Sequence, residues 1–224
     1  MSLKRAIPAA LLCALALGAC ARDSAGLGAA PTGGSLLAGS LASALPGRKA
    51  KAGAPQDVAT IAVNALAANS GPVLLAQFDG VPTPMVMAER GRNGAMRTFI
   101  SPDNRALILR DGMMAGTRGL GRDLMSSETA ESAALIGARK AGTAKRVQYY
   151  LDGDGLERPL PMTCSIAPGA PLQQQGVTVT PVSETCAPAG AENSYMVGAD
   201  GRILASRQWI GPRMGYLNIT QLRD

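Results

Sequence analysis

Six dipeptides punctuate the chain from its middle to its end: Asp79-Gly80, Asn93-Gly94, Asp111-Gly112, Asp152-Gly153, Asp154-Gly155 and Asp200-Gly201. Asn-Gly and Asp-Gly supply the positive φ that tight hairpin turns demand. Between them lie short apolar or alternating runs such as "PVLLAQF", "PMVMAER", "AMRTFI", "RALILR", "KRVQYYL", "GVTVTPV", "GRILASRQW" and "YLNITQL". So many consecutive hairpin signals predict a mainly β domain, an antiparallel meander curled or closed into a barrel, because open sheet edges are an aggregation liability.

Two short helices interrupt this pattern. Residues 57–68 carry an apolar stripe at Val58, Ile61, Ala62, Ala65 and Leu66, with Asp57 as N-cap and Gly71 and Pro72 just past the end. A second helix is expected after Ser127 as cap, with Glu128 and Glu131 in its first turn, Arg139 and Lys140 in its last, and Gly142 ending it.

The N-terminal part has another character. Lys4 and Arg5 precede an apolar run from Ile7 to Leu17. About eleven residues suit a signal-peptide core and fall short of the roughly 20 needed to span a bilayer. Leu17-Gly18-Ala19-Cys20 resembles the bacterial lipoprotein signal. That resemblance implies cleavage before Cys20, a diacylglyceryl group on its sulfur and a third acyl chain on its nitrogen. Two or three chains make a stable membrane anchor, where one does not. Ala21, in place of Asp, points to the outer membrane by the enteric rule. The expected organisation is a signal peptide at 1–19, a lipidated cysteine and flexible tether rich in Ala, Gly, Ser, Leu and Pro at 20–55, and one β-rich periplasmic domain at 56–224.

Charge and residue usage exclude several classes. Lys plus Arg number 22 and Asp plus Glu 16; without Lys4 and Arg5 the counts are 20 and 16, a net of +4. That mild excess is spread along the chain, unlike the basic stripe of a nucleic-acid binder. The chain has no histidine, which removes the commonest general base and the commonest transition-metal ligand. Once Cys13 leaves with the signal and Cys20 is acylated, Cys164 and Cys186 remain. In an oxidising compartment one bridge between them would contribute roughly 3 kcal/mol in the chain-entropy model; the alternative is two free buried thiols.

Among candidate sites, Arg207, Gln208 and Trp209 stand first, as a contact for a partner protein or a glycan. Trp209 is the single Trp, and strand alternation puts it with Arg207 on one face and Gln208 on the other. The competing reading packs Trp209 in the core and pairs Arg207 structurally. "GTRGLGRDL" lacks the spacing of a phosphate loop and reads as a bulged turn with Asp123 close to the next helix. "YLDGDGLE" offers Asp152, Asp154 and Glu157, but not the distal ligands of a calcium loop, and reads as a solvated hairpin turn. The ten Met residues are gap-fillers in a core short of aromatics, or the lining of a soft apolar cavity.

Three stretches carry a family resemblance. "RALILRDGMMAGTRGLGRDLMS" contains a Gly-Leu-Gly-x-Asp-Leu motif at 119–124. "RVQYYLDGDG" is followed by a cysteine. "YMVGADGRILASRQWIGPRMGYLNI" holds Ser206 to Trp209 with Gly211 and Pro212. Together with the lipoprotein signal, they resemble the YjbF/GfcB family of exopolysaccharide and group-four-capsule lipoproteins. The resemblance spans the chain from about Asp57 onward and leaves the tether unmatched. It implies an outer-membrane lipoprotein acting beside polysaccharide-export proteins and a barrel-like domain; it carries over no catalytic residues, and no cofactor and no metal are expected. The expected function is a lipid-anchored binding or scaffolding module for export or assembly of extracellular or capsular polysaccharide. The alternatives are a lipid or lipoprotein carrier with an apolar cavity in a curved sheet, and a carboxylate-based glycan-cleaving enzyme.

Overall fold

The computed structural model describes residues 57–174 and 176–224. The expected signal peptide, Cys20 and the whole of the expected tether lie outside them. After helix α1 (Val58–Ala68) come β1 (Val73–Phe78), β2 (Met85–Asn93), β3 (Met96–Ile100), β4 (Ala106–Arg110), β5 (Met113–Arg118) and β6 (Ser126–Glu128). Helix α2 (Ala130–Gly137) precedes β7 (Gly142–Leu151), β8 (Glu157–Pro168), β9 (Leu172–Gln174) and β10 (Val177–Ala187). Last come β11 (Ala191–Gly198), β12 (Ile203–Gly211) and β13 (Gly215–Arg223).

All pairings are antiparallel, in the order β5-β4-β3-β2-β1-β13-β12-β11-β10-β8-β7-β6, with β9 added beside β10. The first strand therefore closes on the last, as Leu75 opposite Thr220 shows. The segment leading to β6 bridges the seam between β5 and β7: the Thr117 N–H of β5 donates to the Leu124 carbonyl at 2.9 Å, and the Met125 N–H donates to the Tyr149 carbonyl of β7 at 2.8 Å. The expected meander is thus a nearly closed barrel, the arrangement that leaves fewest open edges.

Alternation sends one side chain in two to the interior. Leu74, Met87, Phe99, Leu107, Leu109, Met114, Leu217 and Ile219 form one cluster there. Ala144, Ile166, Val182, Tyr195 and Val197 form a second with Ile136 of α2. The end of α2 is tied down by Arg139, which donates to the Gly198 carbonyl at 2.7 Å. Side chains fill this interior, where a carrier would need an apolar cavity. Helix α1 covers β1 from the other side through Ile61 and Ala65. Arg223 of β13 donates to the Leu66 carbonyl at 3.3 Å and to that of Asn69, where an arginine suits the helix's unpaired carbonyls.

Three sequence expectations change. The second helix begins at Ala130 after Thr129, because Ser126–Glu128 pair with β7 as strand β6. Asp123 therefore stands before a strand and not before a helix. Strand β8, with Pro159, Pro161 and Pro168, gives no strand signal in the sequence. Pro159 and Pro161 face Tyr149 and Val147 of β7, in the part of β8 that β10 does not reach. Their missing N–H groups therefore fall on an unpaired edge, the place where a sheet accepts proline.

Candidate functional site

The three stretches singled out in the sequence meet at one rim of the barrel. They enclose a cleft of about 560 Å³ whose lining includes Gly121, Asp123, Tyr150, Leu160, Gly211 and Met214. That volume falls in the range of small-ligand sites.

The first wall is the Gly-Leu-Gly-x-Asp-Leu stretch. Asp123 accepts the Gly119 N–H at 2.8 Å, the Leu120 N–H at 3.1 Å and the Thr117 hydroxyl at 2.8 Å. Its carboxylate thus shapes its own loop. Leu124, fully buried, pins the loop to the core. Arg122 is left exposed on the rim, without an ion pair among the described residues.

The second wall comes from β7 and β8. Arg146, Gln148 and Tyr150 share the inward face of β7 at a period of two. The Gln148 amide donates to the Trp209 carbonyl at 3.3 Å. The Tyr150 hydroxyl lies between Gln148 Oε1, at 2.8 Å, and the Ile210 carbonyl, and its one proton serves one of the two. Burial pushes the Tyr150 hydroxyl pKa well up, against an opposing pull from Arg146, so it stays a neutral phenol turned inward. On the hairpin beyond, Asp152 accepts the Asp154 and Leu156 N–H groups, both at 2.9 Å, and pairs with Arg158 at 2.7 Å. This carboxylate is engaged in its own turn.

The third wall is the "SRQW-x-GP" end of β12. Gln208 is fully buried and closes the edge of β5: its Oε1 accepts the Met114 N–H at 2.8 Å, and its Nε2 donates to the Gly112 carbonyl at 3.1 Å and to Ser206 Oγ at 2.9 Å. Trp209 is 8% exposed and packs with Met162, Cys164, Cys186 and Ala191. Its backbone N–H donates to Asn193 Oδ1 at 2.7 Å. Neither is available to a partner at the surface. Arg207 alone of the three reaches solvent; it pairs with Asp79 at 2.6 Å and lies over the Tyr216 ring at 3.5 Å. Gly211 and Pro212 continue from Trp209 into the cleft, followed by exposed Arg213, which has no ion pair among the described residues.

Behind the cleft lies a buried polar cluster. Glu184 Oε2 accepts from Arg146 Nη1 at 2.8 Å, Asn193 Nδ2 at 2.8 Å and the Tyr195 hydroxyl at 2.7 Å. Burial first, and Glu184 second, raise the Tyr195 pKa. Cys164 and Cys186 are bonded to each other beside this cluster. Their sulfurs and the Glu184 carboxylate lie within 4.8 Å of one another, but bonded sulfurs offer no thiolate to a metal. Met87, Met113 and Met114 fill the core, whereas Met125 and Met214 line the cleft. The sequence reading missed Arg122, Tyr150, Arg158 and Arg213, which come from separate segments. The one available signal was the polar run Arg146, Gln148, Tyr150 on the inward face of a strand.

Comparison with known proteins places this geometry. The sequence model of a family described as group 4 capsule polysaccharide lipoprotein gfcB, YjbF, matches residues 38–222. The match reaches back into the segment expected to be an unmatched tether. The crystal structure of the hypothetical lipoprotein YmcC from Escherichia coli (K12) superposes with a TM-score of 0.59 at 16% identity, covering 76% of this chain and 98% of that one; at that identity the likeness is one of fold. No curated protein matches the chain.

Proposed function

The chain belongs to the family of group 4 capsule polysaccharide lipoproteins, and on that footing we propose that it is a lipid-anchored accessory module for the export or assembly of extracellular or capsular polysaccharide. Acyl chains on Cys20 hold it to the outer membrane, and the barrel faces the periplasm. It works by placement and binding, beside polysaccharide-export proteins or on the glycan itself, and it forms and breaks no covalent bond. The rim cleft is its working surface.

One observation carries the choice of surface: three stretches far apart in sequence, each singled out by its residues, build the same cleft. The acidic groups offer little to a glycan-cleaving reaction. Asp123 and Asp152 are committed to backbone N–H groups of their own loops, while a glycosidase needs two carboxyl groups facing the bond to be cut.

The test is a clean deletion of the gene. Surface polysaccharide should fall and return with the wild-type gene, and the Cys20→Ser protein should leave the membrane fraction and restore little. Undiminished polysaccharide in the deletion strain overturns the proposal.

A further inference from the structure

The geometry points to an anionic lipid, a phosphate carried on an apolar chain, as the ligand of the rim cleft. This rests on the reading of the cleft as the working surface. The argument starts from what the cleft lacks. A sugar ring asks for a mixed set of donors and acceptors around its hydroxyls. Here the Asp123 carboxylate is taken up by the N–H groups of Gly119 and Leu120. The Tyr150 hydroxyl is turned inward to Gln148 and Ile210. What remains toward the opening is apolar surface from Met125, Leu160 and Met214, together with guanidinium groups.

Those guanidinium groups are unevenly committed. Arg158 is paired with Asp152. Arg122 and Arg213 are exposed, come from different segments and have no ion pair among the described residues. Two free arginines over an apolar floor suit one phosphate, which guanidinium binds through two parallel hydrogen bonds. The apolar surface reaches the rim: Leu151, 48% exposed, lines the cleft itself, and Leu156, 56% exposed, follows it on the same hairpin. Exposed apolar side chains gathered at a cleft mark an interaction site, and a cationic rim fixes the sign of its ligand.

A bilayer phospholipid and a prenyl phosphate share this chemistry, and a soluble assay separates them. The full chain carrying Cys20→Ser is titrated calorimetrically with dihexanoyl phosphatidic acid, farnesyl phosphate, inorganic phosphate and dihexanoyl phosphatidylcholine, each below its micelle concentration. At least one of the two anionic lipids should bind about ten-fold or more tighter than either inorganic phosphate or the zwitterionic lipid, a difference of one decade in Kd. The tighter of the two identifies the source. Arg122→Glu with Arg213→Glu should remove that preference and leave the melting temperature unchanged, since both side chains are exposed. If the double reversal fails to fold, Arg122→Gln and Arg213→Gln singly should each weaken binding by about three-fold or more.

Three results overturn the inference: inorganic phosphate or the zwitterionic lipid binding as tightly as the anionic lipids, lipid binding indifferent to the two arginines, or no binding of either anionic lipid. Normal polysaccharide in the deletion strain would remove the functional reading and leave this one standing. Reduced polysaccharide without lipid binding would do the reverse.

Discussion

The Arg146 guanidinium and the Glu184 carboxylate meet at 2.8 Å inside the barrel, with 1% and 0% of their side chains exposed. Burial disfavours the charge on Arg146, but the Glu184 carboxylate beside it opposes this and the arginine pKa is raised. Such a pair is costly to desolvate, and its worth depends on every partner staying in place. Arg146→Met or Glu184→Leu alone should therefore destabilise by about 3–5 kcal/mol, since each strands a buried charge. The double variant Arg146→Met with Glu184→Leu should cost well under the sum of the single changes. Urea denaturation of the four proteins gives the coupling directly, and strict additivity would show that the two groups act independently.

The Cys164–Cys186 bond joins residues directly opposite each other on β8 and β10. The sheet already aligns these strands, so the bond acts largely on the unfolded chain. Its sequence separation of 22 residues corresponds to a loss of roughly 3 kcal/mol on replacing both cysteines by Ala. Chemical denaturation of the Cys164→Ala/Cys186→Ala protein, in the background of Cys20→Ser, measures it. An unchanged midpoint would mean that the strand ladder alone sets the stability here.

The sheet was legible because its turns are written in dipeptides. Asp111 and Gly112 take φ of 51° and 79° and join β4 to β5 as the Asp-Gly pair requires. Strand β8 was illegible because Pro159 and Pro161 lie on an edge that only the tertiary pairing leaves free. Strand β6 was hidden for a related reason: Ser127 and Glu128 look like a helix start, and only pairing with Gln148 and Val147 makes them a strand. The site was half legible. Sequence motifs located its walls, but Arg122 and Arg213 stand within those stretches as unspecified positions, and nothing local shows that the fold brings them to one cleft. In "SRQW", alternation put Arg207 and Trp209 on one face and Gln208 on the other, but nothing local shows that Trp209 fills a gap beside the disulfide.

Gly211 explains one letter of that signature. A Cβ built there would lie 3.1 Å from Tyr150 Cε1 and 3.2 Å from its hydroxyl oxygen. The ring is held by the Ile210 carbonyl and Gln148, so it has little freedom to retreat. Gly211→Ala should displace the ring and lower stability by about 1–3 kcal/mol, the cost of overpacking. Adding Tyr150→Leu, which removes the clashing ring edge, should recover part of the loss. Thermal melts of the two single variants and the pair decide this, and a harmless Gly211→Ala would show that the rim is softer than its packing implies.

Acid stability should depend measurably on Asp79 and Arg207. Arg207 donates from Nε at 3.0 Å and Nη2 at 2.6 Å to Asp79 Oδ2, and Asn218 donates to Oδ1 at 2.7 Å. The Arg207 hydrogen bonds chiefly, then, against an opposing burial penalty, that of Asn218, hold the Asp79 carboxyl below its ordinary range. The unfolded chain therefore takes up the proton first as pH falls. The contribution is complete above the unfolded-state value, about 3.9 for an aspartate, and disappears as pH drops through the lower folded-state value. With side chains 37% and 42% exposed, the pair contributes on the order of 0.2–1 kcal/mol and weakens with salt. Asp79→Asn should melt below the wild type at pH 7 and together with it near the acid limit of folding. A gap between the two melting curves that stays constant from neutral to acid pH would contradict the assignment of this carboxylate as the titrating group.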